Sequence, residues 1–199
     1  MEISYTSEYI QLSNKELNEL DIFVKDFIAI LKQYFPYVII SGYVAILFGR
    51  NRSSEDIDVF IPQKKYDIFK KFWNKIQSEY ECINAGNPKE AYTNYLMEHI
   101  PIRFSKKNEF IPNFEIKFPN STLDEWTIKK KKKVLINSYE LFISPLELQI
   151  PYKLYLGSEK DIEDARFLYQ LFISYLNNDV LHSFNKKFKT ERSFSNYIL

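Results

Sequence analysis

Apolar residues in this chain change period from segment to segment, and the changes mark its elements. Leu17, Leu20, Phe23, Val24, Phe27, Ile28 and Leu31 recur at helical spacing, which predicts an amphipathic helix reaching about Tyr34. Ser13 and Glu16 read as a capping box at its start, and Phe35-Pro36 as its stop. Residues 1 to 12 read as a lead-in with room for a short strand. Tyr37 to Ile40 is an unbroken apolar run closed by Ser41-Gly42, the mark of a buried strand and a tight turn. A short apolar helix (Tyr43 to Phe48) and a second strand (Asp56 to Ile61) follow, and Pro62 ends that strand.

The rest of the chain continues the alternation of helix and strand. Gln63 to about Glu79 predicts a helix with Tyr66, Phe69, Phe72, Trp73 and Ile76 inward and its lysines on a solvated face. Tyr80 to Asn84 reads as a strand and Lys89 to Glu98 as a short helix. Ile100 to Phe104 and Phe114 to Phe118 alternate with period two and predict antiparallel neighbours. In the second run Glu115 and Lys117 share one face and the three apolar residues the other. Thr122 reads as the cap of a helix that runs into Lys129 to Lys133. Val134 to Ile136 and Leu141 to Ile143 predict a hairpin around Asn137-Ser138. Pro145 opens a helix to about Leu156, Gly157 closes it, and Ser158 caps another reaching about Leu176. Asn177-Asn178 breaks that helix, and the tail to Leu199 predicts one more. The sum is an α/β (α+β) fold, a mixed sheet flanked by helices. Residues 1–143 form the sheet domain and 144–199 a helical C-terminal region packed on it.

Composition narrows the class. The 199 residues are 45% hydrophobic with a net charge of +1, which fits a globular chain and not a generally basic nucleic-acid binder. The single cysteine, Cys82, excludes an intramolecular disulfide and reads as core. His99 and His182 lack partners at zinc-ligand spacing. No run approaches the roughly 18 apolar residues of a membrane span, and the acidic start lacks a secretory pattern. The expected location is cytoplasmic, with no membrane partner. The five lysines read as a helix end favoured by the dipole, with a nucleic-acid groove as the other reading.

Chemistry concentrates between Ser41 and Asp58. Asp56 and Asp58 lie two apart on a strand and face the same way. Adjacent carboxylates repel unless a cation lies between them, and a hard divalent ion, Mg²⁺ or Mn²⁺, suits such oxygen ligands together with phosphate. Gly42 gives the preceding turn backbone freedom, and the helix start beyond it offers N–H groups to a phosphate. Ser41, Gly42 and Tyr43 are therefore the phosphate-turn candidates. Together these features suggest a nucleoside triphosphate carried with its metal.

The stretch GYVAILFGRNRSSEDIDVF resembles the signature of the DNA polymerase β-like nucleotidyltransferase superfamily, and more narrowly its abortive-infection toxin branch. Arg52, Ser53 and Ser54 match the arginine and small hydroxyl residues that precede the aspartates there. The resemblance implies Mg²⁺-dependent transfer of a nucleoside monophosphate to a hydroxyl on a tRNA end or a protein, and an antitoxin as partner. It implies Asp56, Asp58 and a later-strand carboxylate, best matched by Glu115, as catalytic metal ligands. The other reading of Glu115 is a pair with Lys117. Arg52 would bind phosphate or pair with Glu55. The segment ISPLELQIPYKLYLGSEKDIEDARFL extends the resemblance, with Lys153, Lys160, Asp161 and Asp164 at matching places. Lys153 would turn inward to a triphosphate or to Asp161, or out to solvent. The departure is Tyr43, where the family has Gly or Ser. Its ring is expected at the mouth of the phosphate seat, and the alternative is a catalytically degenerate member that binds a nucleotide or partner.

Overall fold

The alternating segments pair into one sheet. The structure, a computed structural model, describes residues 1–6 and 8–198; Ser7 in the lead-in and Leu199 of the expected tail lie outside them. The strands are β1 (Glu2–Tyr5), β2 (Tyr9–Ser13), β3 (Val38–Ile39), β4 (Asp56–Phe60), β5 (Tyr80–Cys82), β6 (Ile102–Lys106), β7 (Asn113–Lys117), β8 (Lys132–Ile136) and β9 (Tyr139–Ile143). Among the described residues these nine form a mixed sheet in the order β1-β2-β8-β9-β3-β4-β7-β6-β5. β3 pairs antiparallel with β4, and β4 parallel with β7. Two antiparallel strands thus bring the turn after β3 to the start of β4, and a parallel neighbour sets Asp58 level with Glu115.

Nine α-helices accompany the sheet among the described residues: α1 (Glu19–Leu31), α2 (Gly42–Leu47), α3 (Tyr66–Ile76), α4 (Pro88–Glu90, continued by a π-helical turn at Ala91–Tyr95 and a 3₁₀ turn at Leu96–Glu98), α5 (Thr122–Lys130), α6 (Leu146–Leu156), α7 (Glu159–Phe172), α8 (Asn178–Phe188) and α9 (Glu191–Tyr197). None is long and apolar enough to cross a membrane. Helices α1 and α3 cover one face. Phe27 of α1 stacks on Phe114 of β7 with ring centroids 4.0 Å apart, and Phe72 and Trp73 of α3 meet Phe104 of β6 edge-on. Each buried ring of this size stabilises the fold by roughly 1.5–3 kcal/mol. Ile57 and Val59 point into the same core and are fully buried. The alternation of β4 then leaves Asp56 and Asp58 on the opposite face, where the chain from α5 onward packs.

Several boundaries differ from the sequence expectation. The first helix starts at Glu19, not after Ser13. Ser13 is the last residue of β2 and pairs with Glu2. Asn18 caps α1 and exchanges hydrogen bonds with Asp21 in a second capping box, which wins because β2 already holds Ser13. The lead-in holds two strands rather than one. Ser121, not Thr122, caps α5. The seventh helix ends at Phe172, and the tail holds two helices, since Lys189 turns left-handed (φ 58°) after α8. The lysine run is split: Lys129 and Lys130 end α5, while Lys132 and Lys133 belong to β8. Lys131 lies over the Phe142 ring and Lys132 over that of Tyr5, so the run lines no single groove.

Candidate active site

The turn between β3 and α2 is held in a shape that the sequence assigns to the wrong residue. The positive φ falls on Ser41 (φ 64°, ψ −138°), not on Gly42. A non-glycine residue there is strained, and a relay of two bonds holds it. The Gln149 side chain donates to the Ser41 carbonyl at 2.7 Å, and Ser144 donates to the other end of the same amide at 2.7 Å. The Ser41 side chain lies close enough to Asp58 to oppose the rise in its carboxyl pKa. Gly42 is needed for a different reason: a Cβ at residue 42 would overlap Nη2 of Arg52.

Tyr43 does not stand at the mouth of this turn. Its side chain is fully buried and its hydroxyl donates to Asp21 at 2.8 Å. Asp21 is itself buried, and also receives Lys15 at 2.8 Å and the Asn18 N–H. Burial, then the adjacent Asp21, pushes the Tyr43 phenol well above its ordinary range. The ring therefore cannot crowd a phosphate, and what residue 43 presents at the start of α2 is backbone.

The strand register puts the three sequence-picked carboxylates on one face of the sheet. Asp56 is exposed at the start of β4. Asp58 is the Cα partner of Glu115 across the parallel pair, and Arg103 the partner of Glu115 across the next. Arg103 closes on Glu115 at 2.5 Å, and the Lys117 ammonium lies 3.8 Å from Asp58. Burial raises the Asp58 carboxyl above its usual value. Lys117 and Ser41 oppose that shift, while Asp56 and Glu115 reinforce it. Ser54 donates to the Asp56 carbonyl at 3.0 Å, and Ser53 is exposed beside it.

Among the described residues no three His, Cys, Asp or Glu side chains converge tightly enough to cage an ion alone. The donor set still fits Mg²⁺ or Mn²⁺. Such an ion commonly takes one or two carboxylates and fills its shell with water and phosphate oxygens, and Asp56 with Asp58 supply that pair. Burial raises Asp58 first, and the repulsion that Asp56 and Glu115 add to it is the part a cation would relieve.

Arg52 and Lys153 are engaged with carboxylates. Lys153 is 2% exposed and contacts Asp161 at 2.6 Å and Asp164 at 2.9 Å. Of its three readings, the inward turn to Asp161 is the one observed. Arg52 bonds Asp164 at 3.0 Å, not Glu55, and donates to the Ser53 carbonyl at 3.1 Å. Arg50 also bonds Asp164, and Glu163 as well. A fully buried Asp164 thus gathers two arginines and a lysine. Burial works to raise Asp161, but hydrogen bonds from Lys153 and Ser158 outweigh it and hold its carboxyl below the usual value.

A cleft of about 440 Å³, counting the part open to solvent, lies beside Ser41. Phe60, Leu123, Leu148 and Tyr152 give it apolar walls, and Lys117, Asp124 and Thr127 add polar groups. Sequence reasoning placed none of these in the site. The signal for one was present, since Lys117 alternates onto the face of Glu115.

No protein-family model matches the chain, and no curated protein matches it in sequence. Its likeness is to solved structures. It superposes on an antigenic nucleotidyltransferase-like protein from Paracoccidioides brasiliensis with a TM-score of 0.53 at 12% identity, covering 89% of this chain and 90% of that one. It is similar to the antibiotic-resistance factor ANT(2'')-Ia with a TM-score of 0.51 at 11% identity, covering 88% and 94%. The chain therefore has a nucleotidyltransferase-like fold, and its chemistry has to be argued from the site.

Proposed function

We propose that this chain is a nucleotidyltransferase that moves a nucleoside monophosphate from a nucleoside triphosphate to an acceptor hydroxyl. The observation that supports it most is the level pairing of Asp58 with Glu115 beside the Ser41 turn, whose carbonyl Gln149 holds at 2.7 Å. Asp56 and Asp58 would hold Mg²⁺ or Mn²⁺ together with phosphate and water, with Glu115 on the neighbouring strand level with Asp58. A divalent ion bound there polarises phosphate oxygens and stabilises the charge of departing pyrophosphate.

In this reading the acceptor oxygen attacks the α-phosphorus in line. The new O–P bond forms as the bond to the β-phosphate oxygen breaks, and pyrophosphate leaves. Glu115 takes the acceptor's proton as general base. The Ser41-Gly42-Tyr43 backbone, with Ser53, faces the phosphates. Arg52 and Lys153 shape that seat from behind, through Asp164. Residues 1–143 carry the chemistry, and the helical region 144–199 supplies a cleft wall through Leu148 and Tyr152. The resemblance to the toxin branch supports a tRNA end or protein side chain as acceptor and an antitoxin as partner. The degenerate alternative rested on Tyr43, and a buried Tyr43 gives it no support.

The test is thermal stability with each of four ribonucleoside triphosphates, with and without Mg²⁺, followed by pyrophosphate release with added acceptors. A Mg²⁺-dependent rise in melting temperature that disappears in Asp58→Asn is the expected result. No shift with any nucleotide would overturn the reading.

A further inference from the structure

We propose that Lys117 is the cation that meets the phosphate chain of the nucleotide; this rests on the reading of the site given above. Lys117 is the last residue of β7 and the Cα partner of Phe60. Its ammonium lies 5.3 Å from the Phe60 ring centroid and 3.8 Å from Oδ1 of Asp58. A bonded ammonium–carboxylate pair measures about 2.7–2.9 Å, so Lys117 is drawn toward Asp58 without being bonded to it. Its side chain is 29% exposed and lines the cleft with Ser41, Asp124 and Tyr152.

Charge balance explains why the group stands there. Asp56, Asp58 and Glu115 carry three negative charges on this face. Arg103 answers Glu115 at 2.5 Å, leaving Lys117 against two aspartates. A divalent ion held by Asp56 and Asp58 balances both of them. The Lys117 ammonium is then released from Asp58 at the edge of a cleft that also holds Asp124, and the larger charge of a triphosphate draws it. Arg52 and Lys153, the cations the sequence marks for this role, already face Asp164 and Asp161 at 2.6–3.0 Å. A lysine suits the exchange of partner because its ammonium is a point charge on a flexible stem, with no fixed fork to break. Lys117 therefore has two successive partners, Asp58 in the free protein and phosphate in the complex.

The test compares the wild type with Lys117→Gln and Lys117→Arg by calorimetry, using the triphosphate that stabilises the wild type, its unphosphorylated nucleoside, and Mn²⁺ alone. Lys117→Gln is expected to weaken triphosphate binding by about tenfold or more. It should leave the nucleoside unchanged and Mn²⁺ equal or tighter, while Lys117→Arg keeps most of the triphosphate affinity. Triphosphate affinity within about twofold of the wild type in Lys117→Gln would overturn the inference and leave the reading of the site intact. An equal loss for nucleoside and triphosphate would assign Lys117 a structural role and also overturn it. A wild type that binds no nucleotide would overturn the reading of the site, and this inference with it.

Discussion

The guanidinium of Arg52 occupies the space that any side chain at residue 42 would need. A Cβ on Gly42 would overlap Nη2 of Arg52 and lie 3.1 Å from Cζ. Gly42→Ala must therefore push Arg52 off its 3.0 Å contact with Asp164. The expected cost is about 1–3 kcal/mol, as for other overpacked sites, with loss of nucleotide-induced stabilisation. Urea unfolding of Gly42→Ala, Arg52→Ser and the double variant checks it. Losses that add, with no coupling beyond about 0.5 kcal/mol, would show that the two residues do not compete for space.

Asp164 should be the most sensitive acid in the chain. It is fully buried and faces Arg50, Arg52 and Lys153. Removing one member of a buried ion pair leaves uncompensated charge and costs about 3–5 kcal/mol. Asp164→Asn should therefore lose several kcal/mol in urea unfolding. Glu163→Gln next to it, 53% exposed, should lose about 0–1 kcal/mol. Similar losses for the two would remove the network from the account of stability.

Asp58 gives the site a pH dependence of known sign. Its carboxyl is raised in the folded protein above the ordinary 3.8, by burial first and by Asp56 and Glu115 next. Between the two values the folded state holds more protons than the unfolded state, so stability falls as pH rises through the folded pKa. At neutral pH without divalent ions, Asp58→Asn should thus raise stability, seen as a higher melting temperature than the wild type. The gain should vanish as pH is lowered through 3.8. Added Mg²⁺ should reverse the order in favour of the wild type. It should do so less as acid protonates Asp58, at a higher pH than for an ordinary aspartate. Melting curves between about pH 3 and 8, with and without Mg²⁺, decide it; a wild type less stable than Asp58→Asn in saturating Mg²⁺ would contradict the metal role.

Tyr43 should matter for stability and not for the nucleotide. Tyr43→Phe removes one buried donor to Asp21, a change worth about 1–2 kcal/mol. Nucleotide affinity should be unchanged because the ring faces away from the turn. A selective loss of affinity at constant melting temperature would put the phenol back in the site.

The strand–turn–helix–strand unit was legible because each piece is local: an unbroken apolar run, a turn, and an alternation that fixes which way Asp56 and Asp58 point. What was not legible depends on residues far apart. Arg52 finds Asp164 across 112 positions, and no local pattern prefers that partner to Glu55. Ser13 and Asn18 both carry capping boxes, and only the pairing of β1 with β2 decides between them. Tyr43 was assigned to the mouth because its position in the motif faces phosphate. The buried Asp21 that claims its hydroxyl comes from α1, whose placement follows from packing. Gly42 was singled out for a freedom it does not use, since Ser41 carries the positive φ.

The hub at Asp164 also sets an order of assembly. A chain is synthesised from its N-terminus, and early segments begin to fold before later ones exist. Arg50 and Arg52 emerge long before their counter-charge, which lies 114 and 112 residues further on. Until α7 is made, the loop ahead of Asp56 carries two arginines with nothing buried to anchor them. The loop between α2 and β4 therefore gains its buried anchor only after α7 has been made, and a ribosome stalled short of α7 would display that loop untethered.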